Sequence, residues 1–313
     1  MFQIKLVPER TSIPFVNWRR PAMACSAVLV VLSLIMAFSP GLNFGIDFRG
    51  GILVEVQTEG PANLSDMRGK MGGLGLGEVS LQEFGAADTV LIRIEKQPGD
   101  AAAQQVAVSK VRAALGESVD YRRTEFVGPK VSGELIEAGA IAILLAVVLM
   151  LIYIWFRFEW HFGVGAVVAL VHDVALSVGM FAVTQMEFNL STIAALLTIV
   201  GYSINDTVVV YDRVRENLRK YKAKSLPDVL NLAINDTLSR TTMTSVTTLL
   251  ALVVLFVFGG AVIQGFVFAM IWGVIVGTYS SIFIAAPLLI VLGLGDRHRS
   301  GAGGGTDAAK STP

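Results

Sequence analysis

The sequence predicts a polytopic α-helical membrane protein, with one α+β domain between its first and second membrane helices. Its residues are 53% hydrophobic and only 16% charged, and the mean hydropathy is +0.63, which is too apolar for a soluble globule. Apolar runs of about 18 or more residues indicate membrane helices. Six such runs occur, roughly at 21–39, 136–156, 163–184, 190–211, 241–258 and 265–293.

Composition also limits the function. The formal net charge is zero, so no nucleic-acid partner is expected. Cys25 is the single cysteine, so the chain has no internal disulfide and no Cys/His metal spacing. The sequence also lacks the GxxxxGK[ST] pattern of an ATP site. We therefore expect no cofactor, metal or enzyme activity, and an ion gradient as the energy source.

Charge at the ends of the apolar runs predicts the orientation. Residues 1–20 carry four Lys or Arg against Glu9, and the predicted loop 212–240 carries seven Lys or Arg against four acids. Basic flanks stay cytoplasmic, so six spans place both termini inside and residues 40–134 outside. The first run lacks a cleavage site and is predicted to be a retained anchor. The Gly/Ser/Ala-rich tail 295–313 is predicted to be disordered.

Residues 40–134 have the composition of a soluble domain. Alternating residues predict strands at 52–57, 78–84, 89–95 and 119–126. Helices are predicted at 61–71 and from Ala101 to Leu115, each closed by glycine. The order β-α-β-β-α-β is the ferredoxin-like pattern.

The glycine-rich stretch 45–51 stands where the chain enters this domain. Gly45, Gly50 and Gly51 permit positive φ and close backbone approach, and Asp47 and Arg49 are placed to pair locally. One interpretation is a turn that aims the first strand away from the bilayer. The other is direct contact with a passing substrate.

A second junction, at residues 127–134, leads back to the membrane. Pro129 fixes its own φ, while Gly128 and Gly133 leave the backbone free to swivel. The stretch is either a simple linker or a hinge that lets the domain tilt.

Two polar neighbours, His172 and Asp173, lie near the middle of the third span. Ionisable residues at that depth are costly, so they face a partner or a wet cavity. They are either a structural hydrogen-bonded pair between helices or part of a proton relay.

The fourth span contains Asn205 and Asp206 several residues before the water-side charges resume. At helical spacing, Thr198, Tyr202, Asn205 or Asp206, and Val209 share one stripe. This polar stripe is predicted to point into a helix bundle, with Asp206 about 10 Å inside the cytoplasmic edge.

Arg240 is predicted to be the partner of Asp206. It opens the fifth span on the same side of the membrane, and Thr244, Thr247 and Thr248 continue its face inward. An acid–base pair that changes partner and protonation state is a physical basis for proton coupling. The alternative is a positive-inside anchor that snorkels to the headgroups. Before it, Ser225 and Asp228 predict a capped helix along the membrane surface.

With these motifs, the chain resembles the SecD/SecF family of bacterial protein-export membrane proteins, in the resistance-nodulation-division superfamily. The resemblance rests on GIDFRGG (45–51), VGPKVSGE (127–134), His172-Asp173, GYSINDTVVVYDR (201–213) and NDTLSRTT (235–242). It implies a six-span SecD partner in the inner membrane, and proton-driven pulling of unfolded preproteins from the SecYEG channel into the periplasm. Asp206 and Arg240 match the family's essential membrane residues, and SecD would add a further acid.

Two other hypotheses remain open at this point. The chain could be a subunit of a proton-coupled small-molecule exporter, although its single domain outside the membrane is small for that role. It could also be a non-transporting assembly scaffold, in which Asp206 and Arg240 form a structural ion pair.

Overall fold

The computed structural model describes residue 8 and residues 11–99, 101–116 and 119–294. The predicted tail 295–313 lies outside the described residues, as do residues 1–7, 9 and 10 of the N-terminal segment. The described chain has two parts, a bundle of long helices and a four-stranded α+β domain.

The α+β domain follows the first long helix. A 3₁₀ turn (Phe15–Trp18) leads into α1 (Arg19–Met36), and a short helix α2 (Ile46–Arg49) then opens the domain. Its remaining elements are β1 (Gly51–Thr58), α3 (Leu64–Gly72), β2 (Val79–Phe84), β3 (Ala86–Ile94), α4 (Ala101–Leu115) and β4 (Val119–Val127). Strands and helices follow the predicted order, with boundaries shifted by a few residues.

The four strands form one sheet in the order β2-β3-β1-β4, and every neighbouring pair is antiparallel. Alternate residues of β1, Ile52, Val54 and Val56, are fully buried in the core under α3 and α4. The opposite face of the sheet is buried too, where Leu53 packs with Ile46 of α2. This second contact places the domain against the segment that joins it to the membrane helices.

Five further long helices complete the bundle, and the prediction of six membrane helices is confirmed by their length and hydropathy. They are α5 (Pro129–Arg157), α6 (Trp160–Thr184), α7 (Leu190–Lys220), α8 (Leu226–Phe258) and α9 (Ala261–Ser280), which continues through a π turn (Ser281–Ala285) into α10 (Ala286–Val291). The apolar windows of the third, fourth and sixth spans are 56–61% buried, against 6–11% for the other three. Helices α6, α7 and α9 therefore form the centre, and α1, α5 and α8 lie outside them.

Small residues let α7 and α9 approach closely. A side chain at Gly273 would overlap Ile199, and one at Gly277 would press against Ser203. The spacing Gly273-x-x-x-Gly277 thus serves close helix contact, as such spacings do in membranes.

The prediction of a loop at 212–240 is wrong. Helix α7 continues to Lys220, and α8 begins at Leu226 and runs unbroken through the fifth span. The segment predicted as a helix along the membrane surface is the first part of α8, and its Leu230 and Ala233 are fully buried in the bundle core.

The junction at 127–134 is more regular than a linker, while the hinge interpretation stays a prediction. Strand β4 ends at Val127, Gly128 is the residue before the helix, and α5 begins at Pro129. Gly133 lies inside α5. Proline suits a first helical turn because its missing N–H would have no partner there. Only Gly128 separates the sheet from the membrane helix.

Gly51→Ala is expected to destabilise the α+β domain by about 1–3 kcal/mol. Its φ of 123° is rare for other residues, and a Cβ would meet the carbonyl oxygen of Ile94. Limited proteolysis of the detergent-solubilised chain measures the effect. Gly60→Ala is the matched control, because a Cβ there meets nothing within 4 Å. Equal protease resistance of the two variants would contradict the prediction.

Candidate functional site

Asp206 lies in the middle of α7 and is only 4% exposed. The hydroxyl of Thr241 on α8 faces its carboxyl group. Yet Asp206 Oδ2 and Thr241 Oγ1 are both buried without a partner in hydrogen-bond geometry among the described residues. An incompletely paired carboxyl group is held here inside the membrane-spanning bundle.

Arg240 does not form the predicted close pair with Asp206. Within the described chain no ion pair of 4.0 Å or less joins them, although Arg240 is the cation whose charge acts on the carboxyl group. The reason is helical phase. Successive residues are about 100° apart around a helix, so with Thr241 turned inward, Arg240 is exposed on the outer side of α8.

A line of hydroxyl groups crosses three helices beside Asp206. Tyr202 donates to Ser245 of α8 over 3.4 Å, and Ser245 lies 2.8 Å from Thr278 of α9. Of the predicted stripe, Tyr202 and Asp206 thus face the bundle. The sequence does not predict that Ser245 and Thr278 belong to this line, because only the fold brings α9 beside α7 and α8.

The other predicted hydroxyl groups do not build a network between helices. Thr198, Thr244, Thr247 and Thr248 each donate to carbonyl groups of their own helix. Thr198 and Asn205, from the stripe predicted to point into a helix bundle, therefore face away from the helices of this chain. The chain's own helices cover only one side of α7 and α8.

An open polar face results on the outside of the bundle. It is formed by exposed residues of two neighbouring helices, Thr198, Gly201 and Asn205 of α7 and Arg240, Thr244 and Thr247 of α8. Polar and charged side chains facing lipid are costly, and they normally line a bundle interior or a wet cavity. This face has the character of an interior surface that lacks its cover.

His172 and Asp173 form a second polar centre, deep in α6. His172 Nδ1 lies 2.8 Å from Asp173 Oδ1. Asp173 is fully buried and accepts hydrogen bonds from Ser203 of α7 and from Ser280 of α9, the latter at 2.7 Å. One carboxyl group thus joins the three central helices. Of the two sequence interpretations, these contacts favour a structural role.

The charged end of the bundle contains ion pairs that the sequence did not reveal. Arg157 at the end of α5 contacts Asp212 of α7 at 2.8 Å, and Arg213 contacts Asp236 of α8 at 3.0 Å. From the sequence, Asp212, Arg213 and Asp236 enter only the charge count of 212–240. Their partners are distant in sequence, so pairing could not be read from spacing.

In the glycine-rich stretch at 45–51, the predicted local pair of Asp47 and Arg49 is replaced by another contact. Asp47 does not pair with Arg49. It accepts a 2.9 Å hydrogen bond from the backbone N–H of Leu190, the first residue of α7. Gly50 and Gly51 have φ of 71° and 123°, which is consistent with the interpretation as a turn. Among the described residues, no cluster of three or more His, Cys, Asp or Glu is placed to hold a metal ion.

Two family models match the chain. Residues 107–295 match the model described as "Protein export membrane protein SecD/SecF, C-terminal", and residues 35–62 match the "SecD/SecF GG Motif". Curated relatives agree. The chain is 50% identical to protein translocase subunit SecF of Magnetococcus marinus over 97% of this chain and 98% of that protein. It is 48% identical to that of Rhodobacter capsulatus over 95% and 94%.

Solved structures show the same architecture. The crystal structure of SecDF, a translocon-associated membrane protein from Thermus thermophilus, matches with a TM-score of 0.82 and 34% identity. The match covers 93% of this chain but 40% of the SecDF chain. SecDF in a super-membrane-facing form matches with a TM-score of 0.67 and 31% identity, over 96% and 41%. This chain thus corresponds to less than half of each SecDF polypeptide.

Proposed function

This chain belongs to the SecD/SecF family of protein-export membrane proteins, and on that premise we propose that it uses the proton gradient to promote preprotein translocation. Similarity to its relatives supports the assignment of the chain as a multi-pass bacterial membrane protein with a SecD/SecF-type role in translocation. The proposed energy source is the proton gradient, and Asp206 and Arg240 are the residues that use it. Asp206 binds and releases the proton. Arg240 moves toward the Asp206 carboxyl group or away from it as the bundle changes shape.

One observation carries the proposal: Asp206 is 4% exposed, faces a hydroxyl group and has no cation within 4.0 Å among the described residues. A buried carboxyl group without a paired cation is favoured in its neutral form and ionises only when a charge or water reaches it. Such a group is suited to alternate between protonated and charged states. Arg240, exposed one residue before Thr241, is the cation that we propose makes this change.

We propose that the six-span SecD partner covers the open polar face. The face carries Arg240 and Asn205 on surfaces that lipid would not solvate. The SecDF polypeptide is long enough to supply such a cover, since this chain matches only 40% of it. A further acid from the partner would then complete the proton path.

The orientation follows from charge. Arg157, Arg213, Arg215, Arg219 and Lys220 gather at one end of the bundle, which we assign to the cytoplasm with both termini. The helix bundle then lies in the inner membrane of the cell, and the α+β domain lies in the periplasm. Its antiparallel sheet in the order β2-β3-β1-β4 with two helices on one face supports a ferredoxin-like assignment. On this side the SecYEG channel delivers unfolded preprotein.

The experiment measures release of a secretory preprotein from spheroplasts that contain the chain, its SecD partner and the translocon. Release after ATP-driven entry is expected to fall when a protonophore collapses the gradient. It is then expected to equal the release from cells that lack this chain. The matched control is a set of cells without the chain, treated with the same protonophore. If the protonophore slows both strains equally, the gradient acts elsewhere and the proposal is wrong.

A further inference from the structure

Three separate parts of the chain meet at the end of the bundle nearest the α+β domain. The first is the segment from Gly41 to Arg49, which joins α1 to β1. The second is the connection from Gln185 to Leu190, which joins α6 to α7. The third is Arg93 of β3, inside the sheet. We call their contacts the junction clasp, and each part reaches it from a different element.

Backbone and amide hydrogen bonds join the first two parts. Gly45 N–H donates to the carbonyl of Phe188 at 2.9 Å, and Phe188 N–H donates to the carbonyl of Asn43 at 2.8 Å. The Asn43 amide donates to the Gln185 carbonyl at 2.8 Å. Phe44, Phe48 and Phe188 pack as a cluster, with ring centroids 5.8–6.0 Å apart.

A largely buried ion pair ties the sheet to the same place. Arg93 donates to the Glu187 carboxylate at 2.7 Å and to the Asn43 side-chain oxygen at 3.0 Å. The two charged side chains are 15% and 18% exposed, so the pair is shielded from the screening that weakens surface pairs. The same contact explains the glycine at position 45, because a Cβ there would overlap the Glu187 carboxylate.

The clasp holds the start of α7 in particular. Asp47 accepts from the N–H of Leu190, beside the Asn189–Thr192 capping box of that helix. A carboxylate at a helix N-terminus satisfies a free backbone donor and is favoured by the helix dipole. From Leu190, α7 runs without a break to Asp206, about 24 Å along its axis. The helix thus connects the proton-binding carboxyl group directly to the α+β domain.

From this arrangement we propose that Asp47, Arg93 and Glu187 are positioning residues that couple α7 to the α+β domain. The inference rests on the proposed function, in which the bundle changes shape as Asp206 binds and releases a proton, and it assigns that change to a displacement of α7. A displaced α7 carries its N-terminus with it, and the clasp transmits that displacement to β1 and β3. Without the clasp, protons would still reach Asp206, but the domain would no longer follow the helix.

The test reverses the charges of the ion pair, separately and together, in vesicles with the SecD partner and the translocon. Proton uptake and release of a fluorescent secretory preprotein are both measured at matched abundance. Arg93→Glu and Glu187→Arg are each expected to lower gradient-dependent release at least about fivefold, the lower end of typical coupling between sites. Proton uptake is expected to persist. The double variant, which restores an ion pair, is expected to recover most of the release.

Asp47 provides a second, independent variant. Asp47→Ala removes the acceptor for Leu190 N–H, while Asp47→Asn keeps a side-chain oxygen in its place. Asp47→Ala is expected to lower gradient-dependent release as much as a single charge reversal does, with proton uptake retained. Asp47→Asn is expected to release preprotein at the rate of the unchanged chain.

Three outcomes would overturn the coupling proposal. One is full release in the single reversals, another is no recovery in the double variant, and the third is parallel loss of proton uptake and release. Failure of the proposed function looks different, because the unchanged chain would then show no gradient-dependent release.

Discussion

Asp206→Asn is expected to abolish gradient-dependent preprotein release, at least about tenfold below the unchanged chain. The variant keeps the volume and hydrogen-bonding capacity of the side chain but cannot exchange a proton. Because no ion pair holds Asp206 in place among the described residues, its neutral replacement leaves the fold intact. Release is measured in spheroplasts, and abundance is measured in the same membranes.

Glu216→Gln is the matched control for this variant. Glu216 is a carboxylate of the same helix, but its side chain is 61% exposed at the charged end. Its pair with Arg213 is a surface pair, worth about 0–1 kcal/mol, so release is expected to stay near normal. If Asp206→Asn exports normally, or fails only because its abundance falls, Asp206 is structural and the proton role is wrong.

Arg240→Met extends the same comparison to the cation. The side chain is exposed on α8, so methionine is tolerated by this chain's own packing. Gradient-dependent release is expected to be lost at normal abundance, as for Asp206→Asn. Normal release would assign Arg240 to the other interpretation, a cation anchored at the headgroups.

Asp173→Ala is expected to destabilise the bundle strongly, by about 2 kcal/mol or more. The change leaves His172, Ser203 and Ser280 without their common acceptor inside the three central helices. A lower midpoint of thermal aggregation in detergent and a lower abundance in membranes measure the effect. Ser177→Ala is the control, since that hydroxyl donates to a carbonyl of its own helix.

Asp173→Asn separates the two interpretations of this pair. Both serines donate to Oδ2 of Asp173, while His172 Nδ1 lies against Oδ1. Asparagine can keep one oxygen as the acceptor for both serines and turn its amide N–H toward His172, but it does not ionise. With a structural role, the variant is expected to be stable and to export preprotein at close to the normal rate. A stable variant without export would instead identify Asp173 as a proton carrier.

The sequence predicted those features that local pattern determines. Six long apolar runs gave six helices, and alternating residues placed the strand β1. The alternation is typical of a half-buried strand, but Leu53 on the opposite face is buried too. The order of strands and helices followed from glycine and proline at the boundaries. Hydropathy and the periodicity of apolar residues depend on neighbouring positions only, so both can be read from a single sequence.

The orientation of Arg240 could not be predicted, because the phase of a helix depends on which neighbours bury which side. Thr241 turns inward in α8, and Arg240 is therefore outside. The prediction of a loop at 212–240 failed for a related reason. Its charges suggested water, but Arg213 and Asp236 neutralise each other across α7 and α8, and apolar residues between them are buried.

Contacts between distant residues were also beyond the sequence. Ser203 and Ser280 lie in different helices, 77 positions apart, and only the fold brings both to Asp173. Asp47 and Leu190 are 143 positions apart. The pairing of Asp47 with Arg49 was predicted because they are neighbours in sequence, whereas the helix end of α7 is the better partner for a carboxylate.

The most direct test of the proton role is proton uptake by vesicles that contain this chain with its SecD partner. An interior pH-sensitive dye reports uptake after a pH step. The unchanged chain and Glu216→Gln are expected to give equal uptake, and Asp206→Asn only the background of empty vesicles. Uptake through Asp206→Asn at the rate of the unchanged chain would show that protons pass without Asp206, and the central claim would be wrong.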